Sequence, residues 1–526
     1  MKRNLFILMF LLPLVFPVFS GCNRNSGENV ELNHSAIADE RTVDGIYHDD
    51  DLSLNPDTME APGESLYDQA EDELCYTAET QPEVGYAALV EDMNRCNYIY
   101  FPGYSYNGEY AATIPLATAA YLFSRLCELF AADGGYLWGK PLHTPYIFLD
   151  VETRAIVANK QNKYGTFRQV GNVFVGYLPS HLPATYSFPT FYGLRWVVYP
   201  WHLVCYRTNY IEDILESMVH TSFHVHQPVL FGAQISWDVD HMNRTHARVL
   251  VQLELNALVH ALAQEGDERI TAVSDALSIR QERRRLFGRA RDENSFEFHE
   301  GLANYTQARI VGISQESLVS RLSWWAYNIR HMDAMGGIFG YITGEIYGYL
   351  LDETGVYWRR YVNRQTDLGA MLKNALEIDE LTPFNELDIN IYGYVEISAF
   401  EADRLRQHEE MIEGIRTSFS EEPVLLIPRQ FLSGEMTMNP TRMFSISGLG
   451  RAFGSYVAIF GTFGRLDVYD GFYIFPEIVR NGASGKVIAT NITTDGNRVY
   501  GPGWVLELED GYEVRPSGDD FVVARR

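Results

Sequence analysis

Two histidines four residues apart and one distant glutamate are the residues of this chain whose types and spacing could do chemistry. They are His220 and His224 in His220-Thr221-Ser222-Phe223-His224, and Glu300 in Glu300-Gly301-Leu302-Ala303-Asn304-Tyr305. A four-residue step on a helix returns to the same face, so both imidazoles can converge on one metal ion. A carboxylate from a second helix supplies a third ligand and leaves a fourth position for water. That water becomes a nucleophile only if a neighbouring base takes its proton. Thr221 follows the first histidine, and its hydroxyl accepts no proton near neutral pH. Losing a positioned base typically costs about 10²–10⁴-fold in rate, so metal capture and hydrolysis are separate questions.

The run departs from the zinc-hydrolase pattern H-E-x-x-H at that one position. Glu300 to Tyr305 resembles the E-G-[FL]-A-x-Y segment that carries the third zinc ligand in gluzincins, metallopeptidases with a helix-borne H-E-x-x-H and a glutamate on a second helix. The resemblance implies zinc held by His220, His224 and Glu300, with small residues letting the second helix approach the first closely. Tyr341-Ile342-Thr343-Gly344 resembles the Y-x-x-G segment of the aminopeptidase branch, whose tyrosine hydroxyl stabilises the tetrahedral oxyanion. Tyr341 would hold that role here, although in a chain with 33 tyrosines a core aromatic is the simpler reading. A wider likeness is to an uncharacterised bacterial group with H-E-x-F-H-x-x-Q, matched by His220, Phe223, His224 and Gln227 and continuing through 253–258 and 280–287. That group lends no activity.

Asn304 stands where related segments often carry an acid, and an amide there orients a ligand without adding charge. Glu297, one turn before Glu300, and Glu216, four residues before His220, are the nearby carboxylates that could replace the base; both read more simply as supporting or surface groups. His226, His241 and His246 rank below the pair as ligands, and so does His299, whose place next to Glu300 predicts a different helical face. The basic run Arg280, Arg283, Arg284 and Arg285, read with Glu254, Glu293 and Glu297, predicts structural ion pairs.

These residues need a scaffold, and 526 residues at 46% hydrophobic and 13% aromatic suffice for packed cores. Lys2 and Arg3 precede an apolar run from Leu5 to Phe19 that is short for a membrane span and ends at Ser20-Gly21-Cys22. This reads as a lipoprotein signal over 1–22, its relaxed box resembling those of spirochaete lipoproteins, with Cys22 as the lipidation site and the membrane as a partner through its acyl chains. An ordinary secretory signal is the alternative. Cys75, Cys96, Cys127 and Cys205 then lie where disulfides persist, with three pairings open. A net charge of −27 repels phosphate backbones, so nucleic acid is not an expected partner. A peptide or protein ligand is.

Residues 23–65 are polar and acidic, as in a solvated tether. The expected fold is α+β: a gluzincin-like domain over 66–420, with a mixed α/β sheet region at 146–202 and a mostly helical core at 209–418, then an all-β domain over 421–526. The sequence favours a zinc-binding but hydrolytically impaired centre acting in binding. The other readings are an active metallohydrolase with another base, and a structural or adhesive envelope lipoprotein with a relic site.

Overall fold

The computed structural model describes Leu14–Val15 and residues 114–526, except 152, 183, 185, 202–210, 233–237, 333, 439–441, 456 and 476–483. The signal segment apart from Leu14–Val15, Cys22 and the 23–65 tether lie outside the described residues. Among the described residues no helix is long and apolar enough to cross a membrane.

Helix α1 (Leu116–Asp133) ends at Gly134, whose φ of 56° is the left-handed closure that glycine permits without Cβ strain. Cys127 in α1 is disulfide-bonded, and the other cysteines lie outside the described residues. A five-stranded sheet follows, built from β1 (Tyr146–Leu149), β2 (Ala155–Ala158), β3 (Arg168–Val170), β4 (Val173–Tyr177) and β5 (Val197–Pro200) in the order β3-β4-β2-β1-β5. Only the β1–β5 pair is parallel. Alternation of side chains divides the sheet between two cores. Tyr146, Phe148, Val157, Val197 and Tyr199 enter the helical core, while Ile147, Leu149, Ile156, Ala158 and Val198 enter a second cluster. Both faces are thus covered, which accounts for the unbroken apolar runs in β1 and β5.

The helical part comprises α2 (Ile211–Phe231), α3 (Thr245–Ala263), α4 (Gly266–Phe287), α5 (Ala290–Phe296), α6 (Leu302–Val311), α7 (Gln315–Asn328), α8 (Phe339–Glu353), α9 (Leu368–Ala375) and α10 (Tyr394–Glu421). Glu212 and Asp213 lie in the first turn of α2, where acids complement the helix dipole. Between α5 and α6 the chain does not break but widens into a π-helical turn at Glu297–Gly301.

The fold is mixed α+β, as the sequence predicts, with a helical core and a C-terminal β region. Helix α10 ends at Glu421 and β6 (Val424–Pro428) begins the strands. Thereafter come β7 (Leu432–Met438), β8 (Met443–Ile446), β9 (Gly450–Gly454), β10 (Val457–Gly461), β11 (Gly464–Val468) and β12 (Phe472–Phe475). The rest are β13 (Ser484–Ile488), β14 (Thr493–Asp495), β15 (Arg498–Gly501), β16 (Trp504–Leu508), β17 (Tyr512–Ser517) and β18 (Asp520–Arg525). One sheet runs β7-β10-β11-β16-β15-β14, with Leu14–Val15 pairing on the free edge of β7; the other runs β8-β9-β12-β13-β6-β18-β17. Residues of both, among them Leu425, Ile459, Leu466, Val487, Trp504 and Val523, share one core. Ile415 of α10 packs on Phe444, Ile446 and Ile474 of the second sheet.

Candidate metal centre

His220 and His224 project from one face of α2, and the π-helical turn delivers Glu300 to them. The two Nε2 atoms are 2.9 Å apart, and Glu300 Oε2 lies 3.4 Å from that of His220 and 3.2 Å from that of His224. Ligands about 2.0–2.1 Å from a tetrahedral zinc stand roughly 3.3 Å from one another, so these spacings match a single shared ion. The three residues form a buried group that could hold a metal. Neither Glu300 oxygen has a hydrogen-bond donor at bonding geometry, although both are buried. A buried carboxylate without a donor is costly, and a cation among these three atoms removes that cost. Burial alone would raise the Glu300 carboxyl, but His224 beside it, with His220 and His299 nearby, holds it well below the usual carboxylate range.

Gln227, three residues after His224, is the support that sequence reasoning missed. Its Nε2 donates to the carbonyls of Phe298 (2.9 Å) and His299 (3.1 Å) in the π-helical turn, and its Oε1 lies 3.1 Å from His224 Nδ1. One amide thus ties the glutamate's backbone to the histidine's ring. It was visible only as the last letter of H-x-x-x-H-x-x-Q.

Thr221 is fully buried, and its hydroxyl donates back to the Ser217 carbonyl at 2.8 Å. The Tyr186 hydroxyl faces it at 3.2 Å. A longer side chain in that direction would meet Tyr186. Tyr341 does lie at the centre: its ring is stacked on that of His220, with centroids 6.0 Å apart and planes 14° from parallel. Asn304 reaches the Tyr341 carbonyl at 3.4 Å.

The two candidate replacement bases are engaged elsewhere. Arg280 grips both oxygens of Glu297, and Thr343 donates to it at 2.7 Å. Glu216 accepts from Arg321 at 2.7 Å and from Gln307 at 3.2 Å. Arg321 also pairs with Glu345, whose carboxyl burial pushes up to about 7 against the pull of Arg321. Glu216, Asn304 and Glu345 sit four residues from His220, Glu300 and Tyr341 respectively, so they form a layer one helical turn from the centre.

His299 requires a correction. A regular helix would turn it away from Glu300, but its ring stacks on His224 with centroids 4.3 Å apart. The π-helical winding, with more residues per turn, narrows the angle between neighbours 299 and 300. Burial pushes its imidazole down to about 3, and repulsion from His224 acts the same way. Gly301 needs another. Its close approach is to α8, not to the histidine helix: a Cβ on Gly301 would sit 2.5 Å from the Gly340 carbonyl oxygen and from Gly344 Cα.

The remaining histidines lie apart. His226 Nε2 is 3.0 Å from the His143 carbonyl and 3.1 Å from Thr144 Oγ1, and His241 pairs with Glu293 at 2.9 Å. The basic run forms the expected ion pairs: Arg283 bridges Glu254 and Glu293, Arg284 joins Glu293 and Asp367, and Arg285 pairs with Glu282. Comparison with protein-family models, curated proteins and solved structures finds no match.

Proposed function

We propose that this chain is an exported, lipid-anchored protein whose gluzincin-like domain holds zinc at His220, His224 and Glu300, does not hydrolyse peptides, and serves in binding a peptide or protein ligand. The observation that carries this reading is the convergence of three donors beside a threonine turned into its own helix. Two imidazole nitrogens and one carboxylate oxygen are a donor set that zinc accepts. When bound, zinc would supply Lewis-acid polarisation of a ligated water or carbonyl. The residues here provide the cradle, with Gln227 orienting His224, but no free carboxylate to take the water's proton. Glu297 is held by Arg280 and Thr343, and Glu216 by Arg321 and Gln307.

Metal analysis of the purified full chain tests the first half: wild type carries about one zinc per chain and His220→Ala carries little. A broad peptide-hydrolysis screen with and without chelator tests the second. Chelator-sensitive cleavage by wild type would overturn the reading in favour of an active hydrolase. Cys22→Ala should move the protein from the membrane fraction to the soluble one, and unchanged partitioning would remove the lipid anchor from the proposal.

A further inference from the structure

The three donors of the centre are sealed from solvent, with side-chain exposures of 0% for His220, 6% for His224 and 0% for Glu300. One more imidazole lies beside the centre without joining the three-donor group. His299 Nε2 is 3.8 Å from Glu300 Oε1, its ring lies over that of His224, and its side chain keeps 15% exposure. Its backbone is held there, because its carbonyl accepts a hydrogen bond from Gln227 Nε2.

Zinc sites divide by what fills the fourth position: catalytic sites keep it for water, and structural sites close it with a protein donor. Resting on the zinc reading above, we propose that His299 is the fourth protein ligand, so that three imidazoles and one carboxylate close the ion off from solvent. The ring lies across His224 rather than aimed at the common point of the other donors, so ligation is a rotation of this one side chain as the ion enters. The closed set accounts for the missing base. A centre that binds no water needs no base, and Thr221, turned back to the Ser217 carbonyl, supplies none.

Cobalt(II), which takes zinc's place and reports its coordination in the visible spectrum, tests this on the full chain. Azide is the probe for an open position. The variants are His299→Gln and His299→Phe; the second keeps an aromatic ring over His224 but cannot ligate. The expected result is a wild-type cobalt spectrum unmoved by azide. Both variants should bind cobalt about tenfold or more weakly, with spectra that shift on adding azide. If wild type responds to azide and both variants bind cobalt as tightly as wild type, the fourth-ligand assignment is overturned while the three-donor centre stands. If wild type takes up no cobalt, or His220→Ala takes up as much as wild type, the zinc reading itself falls and this inference with it.

Discussion

Gln227 fixes the tautomer of His224. Its Nε2 donates to two carbonyls, so the oxygen is the amide atom left to face His224 Nδ1 at 3.1 Å, and that nitrogen must carry the proton. His224 Nε2 is then left with its lone pair toward Glu300 and His220, which is the state a metal requires. Partners of this kind are typically worth about 10–100-fold in metal affinity. Gln227→Ala should therefore weaken zinc binding by about that factor, measured by competition with a chromophoric chelator. Gln227→Glu keeps an acceptor for Nδ1 and should lose less; equal affinity in all three proteins would remove the tautomer argument.

Helix α8 meets the π-helical turn through backbone rather than side chains. A Cβ on Gly344 would lie 2.7 Å from Gly301 Cα and 2.9 Å from the Glu297 carbonyl oxygen, both of them main-chain atoms that cannot rotate away. Gly348 lies just as close to the Tyr305 ring, so the contact continues for a further turn. Overpacking of this sort costs about 1–3 kcal/mol. Gly344→Ala should lower the melting temperature of the metal-free protein and, by moving Glu300, weaken zinc binding as well. Gly355→Ala is not an innocent control because φ there is 72°, whereas Gly414→Ala inside α10, with open space around it, should leave zinc binding unchanged and hold or slightly raise the melting temperature.

Much of this architecture is legible in the sequence because periodicity reports burial directly. Residues 249–263 and 270–287 show helical spacing, and they are helices in the structure. The ligand triad is legible because four-residue spacing and the E-G-L-A-N-Y segment are local patterns. What escaped depends on a change of winding. Expecting one continuous α-helix through Phe296 to Ile310 places His299 away from Glu300, whereas in the π-helical turn its ring stacks on His224. Nothing in the residue types at 297–301 announces such a turn. The approach of Gly301 to Gly340 and Gly344 was not legible either, since a glycine shows that something comes close without showing what.

Arg283 is the most enclosed cation of the ion-pair network, its guanidinium fully buried between Glu254 and Glu293. Removing it leaves Glu254 to Arg280 and Glu293 to Arg284 and His241, one buried cation short, where breaking a buried pair costs about 3–5 kcal/mol at most. Arg283→Met should destabilise the fold by that order in urea unfolding. Arg285→Met, whose exposed side chain pairs only with neighbouring Glu282 at 2.7 Å, should stay within about 0.5 kcal/mol of wild type. Similar losses for the two would mean that the network contributes charge balance rather than specific pairing.

Glu345 sets a pH dependence of opposite sign to that of Glu293. Burial raises its carboxyl to about 7, with Glu216 adding to the rise and Arg321 opposing it, whereas Glu293 is held well below the ordinary range by Arg283, His241 and Arg284 despite its own burial. Between the unfolded value of 4.5 and about 7, the folded chain keeps a proton on Glu345 that the unfolded chain has released. Its contribution to stability is therefore complete below 4.5 and is lost as pH rises through about 7. The swing is on the order of 3 kcal/mol, at about 1.4 kcal/mol per unit. Glu293 works the other way, stabilising above its unfolded pKa and losing that contribution in acid. Glu345→Gln removes the ionisable group while leaving an acceptor for Arg321. The stability difference, wild type minus variant, should fall as pH goes from 4.5 to 7.5; a flat difference across that window would show that Arg321 keeps Glu345 ionised throughout.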